Sequence, residues 1–190
     1  MKTKIIGIGN GGCNIVDDLR RNDSFCEAEF VYYDYESEDL NRHGNDNDHR
    51  FLLDIEHPAD IPIVDNKVDV TIVASALGGR VTTLFSEKIS LAYRQLTNVM
   101  IGAMALPLKM EGLVQCEKAA EIRNILKTLY DVSIIQDNEK LSGDLFITQM
   151  NVPLCEALGI AINSFSDSQP EHDLRALLIK EVQSKCLIIE

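Results

Sequence analysis

Four glycines, Gly7, Gly9, Gly11 and Gly12, fall within six residues, directly behind the apolar run Ile5-Ile6 and ahead of a helical pattern. A strand ending in glycine lets the backbone turn tightly and approach a ligand. The helix that follows then aims its free N–H groups and positive dipole end at that ligand. The chemistry is anion binding, a phosphate seat over Gly9, Asn10, Gly11 and Gly12. The spacing Gly7-x-Gly9-x-x-Gly12 also satisfies the dinucleotide fingerprint, and Asp34 follows about twenty residues later, where a ribose-binding carboxylate belongs. A glycine-rich turn with no ligand is the third reading.

A second turn of the same design is Ser75-Ala76-Leu77-Gly78-Gly79-Arg80-Val81-Thr82-Thr83. Arg80 either supplies positive charge to phosphate oxygens or points into solvent. Thr82 or Thr83 is expected to cap the helix beyond. Three of the four histidines, His43, His49 and His57, lie in or near the polar stretch 37–50. Their spacing matches no metal-ligand pattern, so they are expected to be solvated loop residues and no metal site is assigned.

The elements that must hold these residues alternate along the chain. Thr3 to Ile8, Glu29 to Asp34, Val68 to Ala74, Val99 to Ala105 and Val132 to Gln136 are β-branched or apolar runs that read as buried strands. Phe51-Leu52-Leu53 reads as a short edge strand, and Asp54 to Asn66 as a Pro-interrupted connector without glycine. Helices are expected from about Gly12 with Ile15, Val16 and Leu19 inward, and after Gly79 with Phe85, Ile89, Ala92 and Leu96 inward. Further helices are expected over Glu117–Leu129 with Ala120, Ile122, Leu126 and Leu129 inward, over Asp144–Ser164 with a start or kink at Pro153, and over His172–Gln183. The pattern predicts an α/β, three-layer Rossmann-like fold: a mostly parallel sheet with helices on both faces and ligands at the strand C-terminal ends.

Composition narrows the partners. The 190 residues, 45% of them hydrophobic, suffice for one core, so a single domain over 1–190 is expected. A net charge of −12 argues against nucleic acid and anionic membrane, because phosphate contacts need clustered Lys and Arg. Five widely spaced cysteines without a C-x-x-C pair read as reduced residues of a cytoplasmic protein. No run is long and apolar enough to span a membrane.

The order of motifs resembles the nucleotide-binding half of the FtsZ/tubulin family. Gly7-Ile8-Gly9-Asn10-Gly11-Gly12-Cys13-Asn14 is similar to its first phosphate loop, and Gly78-Gly79-Arg80-Val81-Thr82-Thr83 stands where the family has GGGTGTG. Met110-Glu111-Gly112 resembles the FEG segment, Asp137-Asn138-Glu139-Lys140-Leu141 the PNDKL segment, and Asp144-Leu145-Phe146 to Gly159-Ile160-Ala161 the central helix. The resemblance implies GTP or GDP as the ligand, with Mg2+ as a companion. Asn14 would read the guanine edge, Glu111 the ribose, and Phe146 would stack on the base. Gly9, Asn10, Gly11, Gly12, Gly78, Gly79, Arg80 and Thr82 would hold phosphates, and Gln115 falls near a phosphate-side Arg of the family.

The departures limit the activity. Arg80, Val81 and Thr83 replace a Thr and two glycines of the signature, and Met150 replaces a base-reading Asn or Asp, with Asn151 next to it as the remaining amide. In the loop that carries the family's catalytic acids, Pro170 holds the first position and Asp173 the second, where Asp173 doubles as a helix N-cap. Glu171 is an alternative carboxylate. The resemblance stops short of the family's second domain, which is expected to be absent. The resemblance therefore implies a divergent guanine-nucleotide-binding protein, with a GTPase activity that is weak or lost. Cell division and association with itself or a full-length relative are further implications. An NAD(P)-binding protein and a non-catalytic interaction module with a decayed site are the alternatives.

Overall fold

The computed structural model describes residues 1–58, 60–141, 150–166, 174–182 and 186–190. Its centre is a seven-stranded sheet. The strands are β1 (Thr3–Ile8), β2 (Glu29–Asp34), β3 (His49–Leu52), β4 (Val68–Ala76), β5 (Thr97–Leu106), β6 (Val132–Asp137) and β7 (Leu187–Ile189). They lie in the order β3-β2-β1-β4-β5-β6-β7. All neighbours are parallel except β7, which runs antiparallel to β6 with Ile188 opposite Ile135. The mostly parallel three-layer α/β arrangement expected from the sequence is therefore the one observed.

Alternation along the strands supplies two cores. Ile5, Tyr32, Ile72 and Ala103 face one side, where they meet Ile15, Val16 and Leu19 of α1 (Gly9–Arg20), Leu154 and Leu158 of α5 (Val152–Ser166) and Leu178 of α6 (Leu174–Glu181). Ile6, Ile8, Tyr33 and Met104 face the other side, against Phe85, Ile89 and Tyr93 of α3 (Arg80–Arg94) and Ala119, Ile122 and Leu126 of α4 (Leu113–Leu126). A parallel strand buried on both faces needs apolar residues in succession, which is why β1 and β4 read as continuous runs.

Several local expectations shift. α1 starts at Gly9 rather than Gly12, immediately behind the strand. α4 starts at Leu113, where Gly112 (φ +110°) turns the chain out of the short 3-10 segment Lys109–Glu111, and it buries Ala119 while Ala120 is exposed. The long helix expected from Asp144 is described only from Val152, with Pro153 in its first turn, where a missing N–H costs least. Stretch 37–50 is not all loop: Ser37–Leu40 forms α2, a single turn.

Among the described residues the crossover from β3 to β4 carries no helix. Residues 53–58 and 60–67 instead lie as an irregular strap on the α3 side, with Ile55, Ile61 and Val64 partly buried there. Lys4 secures one end: its buried ammonium donates to the Val64 carbonyl (2.8 Å) and to Asn66 Oδ1 (2.6 Å), with Glu29 at 3.4 Å. Burial lowers the Lys4 pKa, and Glu29 counters it. Tyr33 and Tyr93 share a hydroxyl contact of 2.9 Å; Tyr33 donates to the Pro62 carbonyl and Val64 N–H donates to Tyr93.

Candidate nucleotide site

The chain builds β1, β2 and β3 outward in one direction and β4, β5 and β6 in the other, so the order reverses between β1 and β4. In an open α/β sheet a crevice forms outside the strand C-termini at such a point. A cavity of ≈ 310 Å³ lies there, lined by Gly9, Asn10, Gly11, Gly79, Arg80, Val81 and Thr82 of the two glycine turns. Asp34, Tyr35, Glu36 and Asp39 close one side, and Pro107, Glu111, Gln115 and Asn138 the other.

The helices α1 and α3 both begin at this cavity. Neither has a side-chain cap; Ile8 and Gly79 hold the N-cap positions. The first N–H groups of a helix have no partner within it, so two uncapped N-termini at one cavity present two sets of donors and two positive dipole ends to an anion. Thr82 and Thr83, expected as caps, instead lie within the first turn of α3 and donate to the carbonyls of Ala76 (2.9 Å) and Gly79 (2.7 Å).

The glycines divide into two kinds. Gly9 (φ +70°) and Gly78 (φ +89°) adopt backbone angles that side chains rarely allow. Gly11 and Gly12 are contact glycines: a Cβ on Gly11 would stand 2.4 Å from Ala76 Cβ, and one on Gly12 2.4 Å from the Ala74 carbonyl oxygen. They let α1 sit directly on the end of β4. Gly12 and Gly78 do not line the cavity; the structure gives them packing roles behind it, Gly78 against Gln115 of α4.

Charge in the cavity is lopsided. Among its described lining residues Arg80 is the one cation, against the carboxylates of Asp34, Glu36, Asp39 and Glu111. Arg80 is exposed, with its guanidinium 5.7 Å from the centre of the Tyr35 ring. Glu111 accepts from Leu108 N–H (2.7 Å) and from Gln115 Nε2 (3.1 Å). Asp34 is 2% exposed; its Oδ1 accepts from the N–H groups of Tyr35 (2.7 Å) and Glu36 (3.3 Å), while Oδ2 is buried without a hydrogen-bond partner. Burial raises the Asp34 carboxyl above the usual range, and the two backbone donors oppose that.

A second cavity of ≈ 420 Å³ adjoins the first and shares Gly11, Ala76, Ala105 and Asn138 with it. Asn14 and Asp18 of α1 and Arg21 at its C-cap line it from one side, and Met150 and Asn151 from the other. Asn151 Nδ2 donates to Asp18 Oδ2 (2.8 Å), and Arg21 donates to Asp18 Oδ1 (2.8 Å).

Gly9, Asn10, Gly11, Gly79, Arg80, Thr82 and Glu111 thus meet at one cavity, and Asn14 and Asn151 at its neighbour. Phe146 and Asp173 lie outside the described residues. Two features escape the sequence reading. Asp18 stands one helical turn beyond Asn14, a same-face spacing that is available as a signal. His43 is not a solvated loop residue: it is 4% exposed and bonded to Asp17 and Asn10, whereas His49 and His57 are exposed. No local pattern announces His43, because its partners lie 26 and 33 residues away.

No protein-family model and no curated protein matches the chain. Solved structures do. An empty FtsZ dimer from M. jannaschii superposes with a TM-score of 0.72 at 18% identity, covering 93% of this chain and 60% of that one. CetZ2 from Haloferax volcanii, a GTPγS-bound protofilament, gives 0.68 at 14% identity, covering 93% and 62%. TubZ of Clostridium botulinum phage c-st gives 0.60 at 15%, covering 90% and 60%. The chain spans about three fifths of the length of these proteins. Among the described residues no helix is long and apolar enough to cross a membrane. By this likeness over nine tenths of its length, and with its mostly parallel sheet between helices, this chain has the FtsZ/tubulin-like fold of a Rossmann-type nucleotide-binding domain.

Proposed function

We propose that the chain binds a guanine nucleotide, GDP or GTP, across the two joined cavities, and that it turns GTP over slowly or not at all. The observation that carries this is the convergence of two uncapped helix N-termini on one cavity that opens into a second, polar one. Phosphates occupy the first cavity over Gly9–Gly11 and Gly79–Thr82, Glu111 takes ribose hydroxyls, and the base enters the second. There Asp18 supports guanine, whose N1–H and N2–H donors suit a carboxylate; adenine offers no such pair. Mg2+ arrives with the phosphates. Among the described residues no group of three or more His, Cys, Asp or Glu could hold a metal alone, and the free oxygen of Asp34 suits a phosphate-borne cation.

Slow turnover follows from the first cavity. Four carboxylates repel a third phosphate, and Val81 and Arg80 occupy a turn that would otherwise bring bare backbone to it. Self-association is supported by the exposed Met110, Leu113 and Val114 beside Glu111, and by the dimer and protofilament among the similar structures. The action is carried by this domain, with Asp173 as the remaining candidate acid.

Heating the pure protein and identifying the released nucleotide tests the reading; guanine nucleotide is expected. Release of NAD would favour the dinucleotide alternative, for which Asp34 at the end of β2 has an unpartnered oxygen ready for a ribose diol. An empty site with no thermal shift in millimolar GTP would leave a non-catalytic interaction module. Phosphate release at several protein concentrations tests turnover: hydrolysis across a subunit contact rises more steeply than linearly, and a linear rate would remove that mechanism.

A further inference from the structure

Behind the phosphate cavity the buried His43 ring bridges two residues of α1. Its Nδ1 is 2.8 Å from Asp17 Oδ2, and its Nε2 is 3.0 Å from Asn10 Oδ1. The ring lies parallel to Tyr32, with centroids 6.1 Å apart and planes within 6°. Tyr32 donates its hydroxyl to Asp17 Oδ1 (3.0 Å), Gly44 N–H donates to the same oxygen (3.2 Å), and Arg50 Nε holds the His43 carbonyl (2.8 Å). The imidazole has a fixed place, and one of its two neighbours lines the cavity.

We propose that His43 is a positioning residue that decides which end of the Asn10 amide faces the phosphates, so that nucleotide affinity follows the charge on this ring. The inference rests on the nucleotide reading above. Asp17 only accepts, so Nδ1 carries a proton in either charge state. When the ring is neutral, Nε2 is a lone pair. It takes a hydrogen bond from the Asn10 NH2 and leaves the amide oxygen toward the anion. When the ring is charged, Nε2–H donates to that oxygen, and the NH2 group is free to donate to phosphate. The first arrangement repels an anion and the second binds it.

The surroundings hold the ring in place. From α1 it faces Asn10 and Asp17, with Arg20 close by; from β2, Tyr32; from its own segment, Asp48 and Arg50. Arg20 is committed to Asp48 and Arg50 to backbone carbonyls, so Asp17 is the carboxylate that the ring meets directly.

The test is calorimetric titration of GDP into the wild-type protein and the H43Q and N10A variants from pH 5.5 to 8.5. GDP ionisation is common to all three, so the ratio of wild-type to variant affinity is the readout. That ratio is expected to fall about tenfold from low to high pH, the scale of one hydrogen bond to a charged group. N10A, a change at an exposed position, should flatten the profile while His43 remains in place. A ratio constant across the range, in a wild type that binds GDP, would overturn the role of His43 alone. Absence of GDP binding by the wild type at every pH would overturn the nucleotide reading and this inference with it.

Discussion

The two glycine turns share a plan and differ in what the glycines do. Behind β1 the backbone is locked from below: Gly11 and Gly12 sit on Ala76 and Ala74 with no room for one further carbon, and α1 starts without delay at Gly9. Behind β4 Gly78 is packed as closely, since a Cβ there would stand 2.6 Å from the Gln115 carbonyl oxygen, but the rim at Gly79 is open. A methyl group added to Gly79 would have no neighbour closer than 3.9 Å, and the next residue, Arg80, extends into solvent over Tyr35. One turn is therefore packed along its length, and the other is packed at Gly78 and open at Gly79, the lip that carries the cavity's cation. A run of glycines can thus record helix–strand contact as much as ligand contact.

Substitutions separate the two roles, and the largest effect belongs to the packed turn. G12A puts a methyl group against the Ala74 carbonyl and should cost about 3 kcal/mol, read as a melting temperature lowered by roughly 6–12 °C. Next comes D18A, which should reduce the preference for GDP over ADP about tenfold in competition titrations. If the preference persists, the base is not read at Asp18. R80A should weaken GDP about threefold, an effect that disappears at high salt because this cation is exposed. G79A should change stability by less than about 0.5 kcal/mol, since its φ of −68° and open surroundings accept a methyl group.

Asp34 adds a pH dependence. Its folded-state carboxyl is raised, so its contribution to stability is present below the unfolded value and is lost as pH rises through the folded one. At neutral pH the buried charge is therefore a cost. D34N retains an oxygen for the Tyr35 and Glu36 amides, and it should raise the melting temperature at pH 7, with the gain shrinking toward pH 4. A gain that is constant with pH would assign the effect to something other than ionisation.

Much of this molecule can be read from its residues where the physics is local. β1 and β4 are apolar in succession because both faces are covered, and each glycine turn follows its strand directly, so strand, turn and helix are legible together. The pair Asp18 and Asn151 in the second cavity is 133 residues apart and has no local signature on the α5 side. His43 is opaque for the same reason: a histidine among Asn and Asp looks solvated until the fold brings Asp17 and Tyr32 around it. On α4 the expected Ile122 and Leu126 are inward, and only Ala120 gives way to Ala119, three residues ahead of Ile122 on the same buried stripe.

The strap between β3 and β4 has a consequence for the order of folding. Its fixings join residues 29 to 62 positions apart, Lys4 to Asn66, Tyr33 to Pro62 and Val64 to Tyr93, and none of its described backbone forms a helix that could assemble early. Contacts of such long sequence separation carry a large loop-closure cost before they are rewarded. The strap therefore closes after β1, β2 and α3 have met, and K4M or Y93F should speed unfolding far more than it slows folding.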